Sequence, residues 1–257
     1  MAEPVSVTMI TKNASRTIVE SLNALRYFDE VILLDNGSTD NTIELAGTFS
    51  NVMVFKSPFI GFGPLKNLAA SYAGNDWILS VDSDEVFSRE LVDEIRALSL
   101  EQSKVYAIVR DNYYRGKWIR CCGWENDRVD RLYNRKVVSF SDAQVHESLI
   151  LSDTIERVTL RHRFKHYSYD NCEELLAKMQ HYSTLWAEEQ RGRKRATPLT
   201  AVSRSLFAFV KFYVFKKGFL NGSAGLLISV TNANNVFYKY MKLYELENRK
   251  GRDEDFD

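Results

Sequence analysis

Hydrophobic and polar positions follow two alternating periods along the first hundred residues. "VSVTMIT" (Val5–Thr11), "EVILLD" (Glu30–Asp35), "VMVF" (Val52–Phe55) and "WILSVD" (Trp77–Asp82) are short, nearly continuous apolar runs, the pattern of strands covered on both faces. Between them, apolar residues at helical spacing predict a helix over Ser15–Phe28 with Ser15 as cap. A second follows the Asn36-Gly37 turn with Ser38 or Thr39 as cap, and a third spans Leu65–Ala73 behind "GFGP". Strands alternating with helices predict an α/β fold with a doubly wound, mostly parallel sheet. Ligands of such sheets bind beyond the carboxyl ends of the strands. That rule selects Thr11–Asn13, Asp35–Ser38 and Asp82–Glu85 as one rim.

The regularity then breaks. The stretch from Val105 to Phe140 is rich in aromatics and arginines and reads as strands joined by loops. "VHESLIL" and "IERVTLRHRFKHYSY" are further strand-like pieces, Cys172–Gln190 is helical, and two amphipathic helices are expected over Pro198–Glu247, broken around "GFLNGSAG". The expected division is an α/β domain over residues 1–170, a helical, aromatic-rich region over 171–250 and an acidic tail over 251–257. In "RSLFAFVKFYVFKKGFL", aromatics and leucines are interspersed with Arg204, Lys211, Lys216 and Lys217. Such a helix suits peripheral contact with an anionic membrane, with packing on the catalytic domain or on another subunit in a homo-oligomer as the competing reading.

Composition narrows the class. The 257 residues are 45% hydrophobic and 26% charged, as in ordinary globular proteins, and the formal net charge is zero, which gives nucleic-acid binding no support. Cys121, Cys122 and Cys172 form no CxxC pair, which suits a reducing compartment. The N-terminal stretch has no basic segment leading into a sustained apolar run, and no run reaches spanning length, so a cytoplasmic protein is expected.

The acids at the end of the fourth apolar run carry the candidate chemistry. Asp82 and Asp84 are two residues apart and share a side of the strand end, where their oxygens suit one Mg²⁺ or Mn²⁺. "DSDEVF" lacks the glycine an EF-hand needs at its sixth position. The plainer reading makes these acids the start of a helix capped by Ser88. Asp35 also ends a buried strand, and Gly37 permits a sharp turn behind it, so its carboxylate can accept hydrogen bonds from a base or ribose; an ordinary strand-to-helix turn is the alternative. "GFGPLKN" fails as a dinucleotide fingerprint because Lys66 stands where the third glycine belongs, but it can deliver Lys66 and Asn67 to a nucleotide.

"TMITKN", "VILLDNGSTDNT", "GFGPLKN", "DWILSVDSDE" and "VHE", in this order, resemble the inverting family 2 glycosyltransferases of GT-A fold, and within them the lipopolysaccharide core glucosyltransferases. The departures are "LDNGSTD" and "DSDE" for the family's "VDNGSTD" and "DADE", and Leu65 where Gln precedes Lys-Asn. The resemblance implies a UDP-sugar donor. Thr11, Lys12 and Asn13 would line the nucleotide site, Asp35 and Gly37 would meet the base, and Lys66 and Asn67 would border it. Asp82, Ser83 and Asp84 would form the "DxD" segment, one carboxylate near the ribose and one holding the metal on the diphosphate, with His166 contacting the diphosphate or completing the metal shell. The alternative for His166 is an ordinary core histidine.

An inverting transferase needs one base for the acceptor hydroxyl. Glu147 in "QVHESL" is the candidate, with Asp142 second and a surface partner for Arg or Lys as the plain alternative; His146 should alternate away from Glu147. Trp118 and Trp124 offer flat faces to acceptor sugars, and Arg128 and Arg131 could pair with acceptor phosphates, though any one of them could equally be core or solvated surface. Lys178 and Tyr182 face the site or pack.

Taken together, the resemblance implies transfer of a hexose, glucose first, to a lipid-linked saccharide such as an inner-core heptose at the inner face of the cytoplasmic membrane. A sugar nucleotidyltransferase is the alternative, but "ITKNASRT" lacks the Gly-rich basic loop it would need after the first strand. The other is a non-catalytic nucleotide-sugar-binding protein, against which the intact acids stand.

Overall fold

The computed structural model describes residues 3–142 and 147–248; His146 and the acidic tail at 251–257 lie outside the described residues. The chain divides into two compact units, Met1–Asp111 with Asn126–Tyr167, and Asn112–Glu125 with Ser168–Asp257.

In the first unit, β1 (Val5–Thr11), β2 (Glu30–Asp35), β3 (Val52–Lys56) and β4 (Trp77–Asp82) form the parallel part of a sheet ordered β3-β2-β1-β4. The sheet continues through β8 (Asp127–Asn134), β6 (Lys104–Tyr114), β9 (Glu156–Tyr169) and β5 (Glu85–Phe87), and the pairs β4–β8, β8–β6 and β9–β5 are antiparallel. Alternation along β2 explains its continuous apolar run. Val31 and Leu33 pack with Ile18, Leu22 and Leu25 of α1 (Ile18–Leu25), whereas Leu34 packs with Leu65 and Ala69 of α3 (Phe62–Ser71). Each such aliphatic side chain contributes about 1.5–3 kcal/mol on full burial. The register pairs Thr11 with Asp35 and Ile10 with Asp82, so the rim inferred from sequence is one edge of the parallel strands.

Several helix starts differ from expectation because the intended caps serve elsewhere. α1 begins after Thr17 rather than Ser15, whose N–H donates to Asp40 Oδ2 at 3.2 Å. α2 is only Thr42–Ala46, with Asn41 at its cap. Ser38 Oγ instead accepts the Asn13 N–H at 2.9 Å, and the Thr39 N–H donates to Asn13 Oδ1 at 2.7 Å, so the loops after β1 and β2 are tied together. α3 starts earlier than the pattern predicts, because Gly61 at φ +105° turns the "GFGP" segment directly into its first turn. Ser88 does cap α4 (Arg89–Arg96), accepting the Leu91 N–H. Among the described residues, the "VHESLIL" segment is represented only by a single bridge between Phe140 and Leu149 rather than by a strand.

In the second unit, β7 (Lys117–Trp118) pairs with the end of β6, and α5 (Cys172–Gln190) starts at an Asn171 cap. α6 (Pro198–Val210) opens on a Thr197–Thr200 capping box and runs into a π-helical turn at Lys211–Phe215. Lys217 is left-handed at φ +55°, a short 3₁₀ turn follows at Gly218–Asn221, and α7 (Gly222–Asn248) returns along α6. The crossing needs glycine: a Cβ on Gly225 would collide with the Gly218 carbonyl. Cys121 and Cys122 are buried free thiols and Cys172 is exposed.

Candidate active site

The carboxyl ends of β1, β2 and β4 hold Thr11, Asp35 and Asp82 on one rim. Asp35 is buried and accepts N–H bonds from Gly37 at 3.1 Å and from Ser38, so its carboxylate closes the turn that Gly37 makes at φ +102°. Its neighbour in register, Thr11, has a buried hydroxyl with no hydrogen-bond partner among the described residues. A buried hydroxyl of that kind costs free energy until something pairs with it. Lys12 is exposed, and Asn13, held at φ +52°, spends its side chain on Thr39.

Asp82 is the centre of an ionic chain. Lys66 Nζ, on α3, lies 3.2 Å from Asp82 Oδ1 and 3.0 Å from Glu147 Oε1, so one ammonium joins the two candidate carboxylates. The Arg131 guanidinium donates to Asp82 Oδ2 at 2.7 Å and also to Glu85, which is completely buried. The Asp82 N–H donates to Glu85 Oε2 at 3.1 Å. Burial alone would push the Asp82 carboxyl up, but Arg131 and Lys66 outweigh it and hold the group well below the usual carboxylate range. Glu85 moves the other way, because its burial outweighs the help of Arg131 and neighbouring Asp82 opposes its charge.

This has a measurable sign. Asp82 is more acidic folded than unfolded, so its contribution is complete above the unfolded carboxylate value of about 3.9 and is lost as pH falls toward its lower folded value. Protonation of Glu85 on acidification works in the opposite direction. Melting temperature measured from pH 6 down to 3 should therefore drop less steeply in Asp82→Asn than in the wild type. Parallel acid limbs would remove Asp82 from the linkage.

The remaining site residues divide clearly. Asp84 Oδ2 is 3.4 Å from His166 Nε2, and the Tyr167 N–H donates to the Asp84 carbonyl, so pairing of β9 with β5 brings these two together. Both oxygens of Asp82, in contrast, are already engaged by cations of the protein. Ser83 accepts the Thr17 hydroxyl at its carbonyl, which fixes the backbone between the two aspartates. Asn67 differs from expectation: its amide donates to the Phe140 carbonyl and accepts the Phe140 N–H, each at 2.9 Å, so it fastens the chain leading to Glu147.

Arg131 also differs. It is buried on Asp82 and Glu85, which uses its charge inside the unit rather than on an acceptor phosphate. Arg128 is exposed in the same unit, and Asp142 is exposed. Trp118 and Trp124 belong to the second unit, where the Arg120 guanidinium covers Trp118 at 3.9 Å and Trp124 lies 5.8 Å from Tyr169. Lys178, also there, sits over the rings of Tyr169 and Tyr182. Sequence reasoning missed Glu85 as a buried partner. The only available signal was its place in the acid run, three residues after Asp82.

Among the described residues, no group of three or more His, Cys, Asp or Glu is arranged to hold a metal ion. Asp84 with His166 nevertheless fits a divalent cation of the kind that takes one or two protein ligands and fills its shell with substrate phosphate and water.

Comparison with known proteins gives likenesses of family and of fold. A family model described as glycosyl transferase family 2 matches residues 6–137. An uncharacterized glycosyltransferase of Rickettsia prowazekii (strain Madrid E) is 30% identical over 256 residues, covering 94% of this chain and 87% of the relative. The lipopolysaccharide core biosynthesis glycosyltransferase LpsC of Rhizobium meliloti (strain 1021) is 24% identical over 259 residues, covering 97% of this chain and 95% of LpsC. Among solved structures, a mannosyltransferase of Pyrobaculum calidifontis in complex with GDP-Man and Mn²⁺ shares the fold at a TM-score of 0.55 and 14% identity, over 95% of this chain and 87% of that one.

Proposed function

The chain belongs to glycosyl transferase family 2, and from that premise we propose that it moves a hexose from a UDP-sugar to a saccharide acceptor with inversion. The observation that carries the proposal is the ionic chain Glu147–Lys66–Asp82, beside the Asp84–His166 pair, on the rim of the parallel strands. Asp35 and the unpartnered Thr11 hydroxyl take the nucleotide base and ribose. Lys66 and Arg131 hold Asp82 charged and fixed, so the diphosphate meets preorganised groups.

Asp84 and His166 would hold Mg²⁺ or Mn²⁺, whose chemistry when bound is to offset negative charge on the departing diphosphate. In the displacement, the acceptor oxygen forms a bond to the anomeric carbon as the bond from that carbon to the diphosphate breaks. Glu147 takes the hydroxyl proton, and UDP leaves with the electron pair. Glucose is the proposed sugar and a lipid-linked inner-core heptose at the inner face of the cytoplasmic membrane the proposed acceptor. The likeness to LpsC, a lipopolysaccharide core biosynthesis glycosyltransferase, supports an acceptor in the lipopolysaccharide core.

A panel of nucleotide sugars in a thermal-shift assay tests the reading. With Mn²⁺ present, the true donor at a hundred times its Kd should raise the melting temperature by about 5–10 °C. UDP-glucose should be that donor, and Asp84→Asn or His166→Ala should remove the Mn²⁺-dependent part of the shift. Equal responses to all donors, or a shift indifferent to both substitutions, would overturn the assignment.

A further inference from the structure

The outward face of α6 is apolar where a helix packed against its neighbour in water is normally polar. Leu199, Val202, Leu206 and Val210 recur at spacings of three or four, form one stripe, and are all exposed. Leu199 is 78% exposed, Phe207 66%, and Phe215 in the π-helical turn 71%. The inward face carries the small residues: Ala201 and Ala208 are buried, and the Ser205 hydroxyl donates to the Ala233 carbonyl of α7 at 2.9 Å. Large apolar side chains outside and alanines inside reverse the usual arrangement.

Charge says what would cover this face. From Gln190 to Tyr244, 55 residues contain no Asp or Glu and ten Lys or Arg, in a chain whose net charge is zero. Lys211 and Lys217 are exposed at the C-terminal end of the stripe, and Lys216 is 46% exposed with its ammonium 3.6 Å from Glu125, whereas the Arg204 guanidinium lies over the Tyr240 ring of α7 at 5.0 Å. An apolar strip on a helix of 13 residues that ends in a cluster of lysines is the form of an element lying in a lipid headgroup layer. No helix among the described residues is long and apolar enough to cross a membrane. A two-fold contact with a second copy would bring two basic surfaces together with no acidic side chain from 190 to 244 to pair them.

We propose that this face of the second unit docks in the plane of an anionic lipid surface, with Leu206, Phe207 and Phe215 in the apolar layer and the flanking lysines on phosphate headgroups. Anionic lipid attracts such cations with a strength that falls as salt rises.

The test is sedimentation of the full chain with vesicles of phosphatidylglycerol and phosphatidylethanolamine, against vesicles of phosphatidylcholine alone. No donor sugar is present, so the outcome is independent of the transfer reaction. The wild type should bind the anionic vesicles at least about tenfold more tightly than the neutral ones. The triple variant Leu206→Glu/Phe207→Glu/Phe215→Glu should lose binding by about tenfold or more, with its thermal melt unchanged because the sites are exposed. Lys211→Gln/Lys217→Gln should weaken anionic binding and flatten its salt dependence. Wild type left in solution with anionic vesicles, or a triple variant that pellets like wild type, would overturn the proposal. A dimer in the ultracentrifuge that the triple variant dissociates would also do so, by assigning the face to a second copy.

Discussion

Glu147→Gln should lower kcat by about 10²–10⁴-fold, the usual contribution of a positioned general base, while donor binding stays within a few-fold of wild type. Glutamine keeps the shape of glutamate and an oxygen that can still accept from Lys66, which lies 3.0 Å from Glu147 Oε1. Lys66 therefore remains on Asp82, and the donor side of the rim is preserved. What disappears is the ability to take a proton from the acceptor hydroxyl. Steady-state transfer assays, with donor affinity from calorimetry, separate the two. If kcat stays within about tenfold of wild type, the base lies elsewhere. Asp142→Asn, the competing candidate on an exposed residue, should then show the larger loss.

Arg131→Met should destabilise the fold by about 3–5 kcal/mol, the cost of leaving a buried charge without its partner. Arg131 is almost wholly buried, and its guanidinium serves Asp82 and a completely buried Glu85. Asp82 keeps Lys66 after the substitution, but Glu85 loses its only close cation among the ion pairs of the described residues. Arg131→Met/Glu85→Leu should recover much of the loss, since replacing both members by apolar groups avoids desolvating either charge. Urea midpoints at neutral pH measure both variants. Unchanged stability with a raised KM for the acceptor would return Arg131 to the phosphate-binding role suggested by its sequence context.

The contrast between these residues shows what a sequence can convey. The rim of Thr11, Asp35 and Asp82 was legible because parallel strands joined by helices must place their carboxyl ends on one edge. The closeness of Asp84 and His166 was anticipated only through family resemblance, because pairing of β9 with β5 depends on a return of the chain that local pattern does not encode. Arg131 was misread for a different reason. It shares β8 with Arg128, and the pairing of β8 with β6 shifts register between Tyr106 and Ala107, so strand alternation alone does not say which of the two arginines turns inward. Likewise, Ser15, Ser38 and Asn67 have the chemistry of caps or ligands. Their actual partners are set by loops and strands far along the chain, and tertiary hydrogen bonds outranked local propensity.

Lys66 and Asn67 are consecutive on α3, one facing Asp82 and Glu147, the other stitched to Phe140. A helix advances by about 100° per residue, so inserting or deleting a single residue between Gly61 and Lys66 would rotate both side chains off their targets together. A length change on that side of the helix therefore displaces both contacts at once, where a substitution of either residue displaces only its own.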